Sequence, residues 1–66
     1  MIGKRIAKFR KEKGLTQADL AKVTRLSRGY ISSIEEGKNP SIKAVVLIAD
    51  ALGVEARDLL EKKYLK

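Results

Sequence analysis

The stretch Thr16–Gly37, TQADLAKVTRLSRGYISSIEEG, leaves the backbone little choice. Thr16-Gln17-Ala18-Asp19 has the form of a capping box, a hydroxyl at the N-cap with an acid three residues on. Leu20, Ala21 and Val23 then supply an apolar stripe. Thr24-Arg25-Leu26 breaks the pattern, and Ser27 can cap a second helix. In that helix Ile31 and Ile34 are three apart and share a face, and Gly37 closes it as a residue able to take positive φ. Small Ala21 facing Ile31 lets the two helices cross closely at a steep angle. The stretch therefore predicts two short helices joined by a tight turn. Arg25 falls where a glycine would most easily turn left-handed, at a cost on the order of 1 kcal/mol if its φ is positive.

The flanks read as support for this pair. Met1–Lys13 predicts a first helix, with Ile2, Ile6 and Phe9 at helical spacing, Ala7 beside them and Gly14 as a stop. Lys4, Arg5, Lys8, Lys11 and Lys13 fill much of its remaining surface, and a solvated face accounts for at least half of them. Arg10, next to Phe9 at the edge of the stripe, has a partly buried stem and calls for a carboxylate partner; Glu35 is the candidate. Leu15 packs between the first helix and the next. Lys38-Asn39-Pro40 signals a loop and Ser41 a cap, after which Ile42, Val45, Val46, Ala49 and Leu52 follow the helical period up to Gly53. A last helix spans Glu55–Tyr64 with Leu59 and Leu60 inward, although Glu55 is a poor N-cap. The expected fold is all-α, five short helices in a compact bundle, one domain over residues 1–66.

Composition narrows the function. With no histidine and no cysteine, and no clustered carboxylates, the chain lacks a general base, nucleophile or metal set, so neither an enzyme nor a metal site is expected. No apolar run approaches the roughly 18–20 residues of a membrane span, and no apolar block follows the basic N-terminus as in a secretory signal. The first helix has too narrow an apolar face for a membrane-binding reading, and the cytoplasm is the default location. The net charge is +7, and residues 1–38 carry ten Lys/Arg against four Asp/Glu, or +6. Such an excess suits a polyanionic partner. It lies in the half holding the helix pair, whose geometry is that of a helix-turn-helix with its second helix in the major groove of DNA.

Four segments taken together, T-Q-x-x-L-A at Thr16–Ala21, S-R-x-Y-I-S-x-I-E-x-G at Ser27–Gly37, N-P-S at Asn39–Ser41 and A-L-G-V at Ala51–Val54, resemble the phage-repressor/Cro-type (lambda-repressor-like) helix-turn-helix family over nearly the whole chain. The resemblance implies five helices, with helix 2 at about 17–23 and the recognition helix at about 28–36. It also implies operator binding as a homodimer and transcriptional regulation, in most members by repression and without a cofactor. By position, Arg28, Gly29, Ser32 and Ser33 stand where the family reads base edges. Gln17, Ser27, Tyr30, Lys38, Asn39 and Lys43 stand where it contacts the phosphate backbone, and Arg10 and Glu35 match a partly buried ion pair. Arg25 in place of a common glycine, and Gly29 at a reading position, depart from the pattern.

The second departure limits direct readout. Gly29 has no side chain, and Ser32 and Ser33 reach only short distances or merely permit close approach. Arg28 is the one long side chain placed for a bidentate guanine contact, worth about 1–3 kcal/mol of discrimination. Phosphate contacts at the first turns of the helices, Gln17 among them, then carry most of the affinity. A twofold dimer would set its recognition helices about 34–36 Å apart on a short inverted repeat. Leu59, Tyr64 and Leu65, in the C-terminal part, are the expected dimer surface. No small-molecule effector is expected. The alternative is an antitoxin-type module that binds a partner protein and autoregulates its operon, for which the sequence shows no dedicated partner segment.

Overall fold

A computed structural model of the chain describes residues 2–60. These form five α-helices: α1 (Ile2–Glu12), α2 (Gln17–Thr24), α3 (Arg28–Glu36), α4 (Ile42–Leu52) and α5 (Ala56–Leu59). The all-α bundle is the one that the sequence leads one to expect. Helices α2, α3 and α4 begin where a hydroxyl side chain caps them. Asp19 N donates to Thr16 Oγ1 at 3.0 Å while Thr16 N donates back to Asp19 Oδ2 at 2.9 Å, a complete capping box. Ser27 Oγ accepts from Tyr30 N at 3.0 Å, and Ser41 Oγ from Ala44 N at 3.1 Å. The turn between α2 and α3 passes through Arg25 at φ 63°, ψ 18°, the left-handed conformation.

All five helices meet at one core. Ile6, Leu20, Ile31, Ile34, Ile48, Leu52 and Leu59 are fully buried, with at least one from each helix. Removing each of these large aliphatic side chains from water is worth about 2 kcal/mol.

Four expectations fail here. Val23 is 62% exposed, because Thr24 takes the inward position at the end of α2. In α4, Ile42 (75% exposed) and Val46 (54%) face outward, and the buried set is Ala44, Val45, Ile48, Ala49 and Leu52. That helix reads IKAVVLIADAL and is apolar almost all round, so its period fits more than one rotation. The last helix ends at Leu59, since Leu60 has extended backbone at φ −85°, ψ 148°. The remainder of the expected Glu55–Tyr64 range lies outside the described residues. Glu55 does begin α5, with Asp58 Oδ2 accepting its N–H at 2.9 Å. Leu59 belongs to the core of its own chain and is withdrawn from the dimer surface; Tyr64 and Leu65 lie outside the described residues.

Candidate nucleic-acid interface

A nearly buried ion pair ties α3 to α1. Arg10 Nε donates to Glu35 Oε2 at 2.7 Å and Arg10 Nη2 to Glu35 Oε1 at 3.0 Å, a bidentate fork. The remaining guanidinium nitrogen, Nη1, donates to Leu15 O at 2.7 Å. Gln17 Nε2 reaches the same Oε1 at 3.1 Å. One carboxylate on α3 thus gathers α1 and the start of α2, with the two charged side chains only 10% and 9% exposed. Burial pushes the Glu35 carboxyl up, but the hydrogen bonds from Arg10 and Gln17 outweigh it and hold it below the ordinary range. The bond to Glu35 raises Arg10 in turn. Since one amide N–H of Gln17 is committed to Glu35, a phosphate could use its second N–H and the backbone amides opening α2. Gln17 and exposed Arg28 border one shallow, open depression, which Lys11, Thr16 and Ala18 also line.

A second cluster joins α3 to α4. Tyr30 Oη accepts from Ser41 N at 3.1 Å, which lowers the phenol from its ordinary value and leaves the hydroxyl proton to donate elsewhere. Ser27, accepting from Tyr30 N, likewise keeps its proton. Lys38 Nζ lies 5.4 Å from the centroid of the Tyr30 ring, a cation–π contact that draws the loop cation toward this corner. Asn39 and Lys43, two residues on either side of Ser41, are exposed.

Between these clusters lies the outward face of α3. Arg28 and Gly29 are exposed, while Ser32 and Ser33 are half-buried. Ser33 Oγ donates to Gly29 O at 2.9 Å, so its hydroxyl can only accept from anything outside. A Cβ built at Gly29 would meet nothing within 4 Å, and the backbone there is ordinary helix. Nothing within the protein requires a glycine at this place.

This arrangement matches known proteins. A helix-turn-helix family model covers residues 6–59. The chain is 39% identical over 66 residues to the HTH-type transcriptional regulator SinR of Bacillus subtilis (strain 168), covering 97% of this chain and 60% of that protein. It is 38% identical over 65 residues to the immunity repressor protein of Bacillus phage phi105, covering 97% of this chain and 45% of that one. The chain belongs to the phage-repressor-like helix-turn-helix family. It spans about half the length of these curated relatives. A crystal structure of SinR in complex with DNA superposes with a TM-score of 0.88 at 40% identity, over 92% of this chain and all of that one.

Two residues that position the helix-turn-helix escape sequence reading. Gly3 is buried where α1 crosses α3: a Cβ there would overlap Ile34 O and stand 3.0 Å from Glu35 Cα. Only a glycine lets the two backbones approach this closely. Thr24 is 5% exposed; its Oγ1 donates to Leu20 O at 2.7 Å and accepts from Leu26 N at 3.3 Å. It ties the end of α2 to the turn. A threonine four residues after a core leucine is a faint signal for this, and Gly3 carries none, because its reason is a neighbour 31 residues away.

Proposed function

We propose that the chain binds duplex DNA sequence-specifically as a homodimer and regulates transcription, as a repressor, with α3 in the major groove. The observation that carries this reading is the contrast on α3: its inner side is locked to α1 and α2, while its outer side presents Arg28, Gly29, Ser32 and Ser33 to the outside. Arg28 reads a guanine through its fork, and Ser32 and Ser33 allow close approach. Gln17, Ser27, Tyr30, Lys38, Asn39 and Lys43 hold the phosphates on both sides, Ser27 and Tyr30 through the protons their hydroxyls retain. Arg10 and Glu35 position these groups without touching DNA. With Lys38 and Lys43 the two cations of that set, a dimer should show a log–log salt slope of about −4.

The dimer surface is α4, through Ile42 and Val46. Residues 39–66 carry five Lys/Arg against four Asp/Glu, a net +1 beside the +6 of residues 1–38, so a second copy can pack there away from the basic half. A duplex-DNA partner places the chain in the cytoplasm.

The test is selection of bound sequences from a random duplex pool at roughly physiological salt, with wild type beside Arg28→Ala. Enrichment of an inverted repeat containing a guanine that Arg28→Ala relaxes supports the reading. Binding that enriches no sequence and merely fades with salt overturns the specific-operator claim and turns the search toward a protein partner. Sedimentation of Val46→Glu beside wild type checks the dimer surface, with a monomer expected for the variant.

A further inference from the structure

We propose that Glu36 is a further base-reading residue, one that selects a cytosine through its N4 amino group and disfavours sequences lacking a donor there. This inference rests on the DNA-binding reading above. Glu36 is the last residue of α3 and is exposed. It follows Gly29 by seven residues, so the two point in directions only about 20° apart. Both lie opposite Ile31 and Ile34, the buried side of the helix. Glu36 is therefore more central to the outward face than Arg28, which leans toward α2 and shares a depression with Gln17.

Among the described residues, the ion pairs Arg10–Glu35 and Arg57–Glu55 leave Glu36 out, and nearby Lys38 lies over the Tyr30 ring. A carboxylate here meets a polyanion from the negative end of a helix dipole, which is unfavourable in any complex that gives it no donor. In the major groove a cytosine N4 amino group supplies that donor, and an acid is the side chain that accepts from it. Repulsion elsewhere and acceptance at one base together make a discriminator. The intervening residues assist: Gly29 is bare and Ser32 and Ser33 are short, so α3 can approach until a glutamate reaches the base edges. Eight residues separate Arg28 from Glu36, about 12 Å along the helix, so the two readers address different base pairs.

The experiment repeats the pool selection with wild type, Glu36→Ala and Glu36→Gln, and adds titrations against a duplex without the enriched site. Wild type is expected to fix a cytosine at one position per half-site, separate from the guanine that depends on Arg28. Glu36→Ala should flatten that position alone and tighten binding to the unrelated duplex several-fold. Glu36→Gln should move the preference toward adenine, whose N6 and N7 suit an amide. Glu36 lies on the surface at a helix end, so both variants should keep the wild-type circular dichroism. If Glu36→Ala enriches the wild-type motif unchanged, whatever its overall affinity, Glu36 is only a repelling charge and the proposal is overturned. A wild type that enriches no motif instead overturns the operator-binding reading itself.

Discussion

The two sides of α3 obey different rules. On the inner side, Ile31 and Ile34 are fully buried, Glu35 is held by three donors, and Gly3 lets α1 press against the backbone. Each of these residues has its reason inside the chain. On the outer side, Gly29 has open space around it, and Arg28 and Glu36 are exposed. There no packing within the described residues dictates the residue present. Two glycines make the point: a Cβ at Gly3 would overlap Ile34 O, whereas a Cβ at Gly29 would meet nothing within 4 Å.

Removing the inner anchor should have the largest effect. Glu35→Ala leaves the Arg10 guanidinium nearly buried with only Leu15 O to accept from it. Losing one partner of such a pair costs about 3 kcal/mol. A domain of this size has only about 5 kcal/mol in total. Urea unfolding followed by circular dichroism should show most of the stability gone; a loss under about 1 kcal/mol would mean that packing, not the ion pair, orients α3. The same pair sets an acid dependence. The folded Glu35 carboxyl lies below its unfolded value, so its contribution is complete above that unfolded value and is lost as pH falls through the folded one. The Asp19 carboxyl, held down by the Thr16 N–H, acts in the same direction. Wild type should therefore lose stability on acidification below the ordinary carboxylate range, and Glu35→Gln should show a shallower dependence there.

Gly3→Ala tests the packing half of the inner side. The new methyl would meet Ile34 O and the Glu35 backbone, neither of which is the end of a flexible side chain. Relief requires α1 to move away from α3, at about 2–3 kcal/mol. Because the shift also stretches the Arg10–Glu35 fork, DNA affinity should fall even where the variant is folded. A variant with wild-type unfolding midpoint and wild-type binding would show that the close approach is not needed.

These inner and outer sides were unequally legible in the sequence. Thr16, Ser27 and Ser41 announce their helices because a capping hydroxyl acts on amides two or three residues away. Arg10 and Glu35 could be paired because a buried guanidinium needs a carboxylate. The rotation of α4 could not be read, since Ile42 and Val46 are as apolar as the residues that fill the core. Gly3, Thr24 and the inward turn of Gln17 toward Glu35 depend on contacts made only after the helices have docked. On the outer side, sequence patterns mark which residues are expected to face DNA. Hydrogen bonding decides what each can still do there, as with Ser33, whose proton goes to Gly29 O.

The smallest expected effect bears most directly on the outer side. Gly29 sits in a regular stretch of α3, has no positive φ and has space for a side chain, so Gly29→Ala should stabilise the isolated protein by about 1 kcal/mol. Urea unfolding measures that gain, and titration with the selected operator measures its consequence. If the glycine serves close approach to DNA, the gain in stability should come with a several-fold loss of operator affinity, because the added methyl lies between the helix and the base edges. If affinity is unchanged or improved, Gly29 is merely an unused reading position. Longer side chains placed there could then add base contacts to those proposed for Arg28. A helix that would be more stable with any other ordinary residue at this place, and binds worse with one, would show that the outer face is shaped for its partner at the expense of the fold.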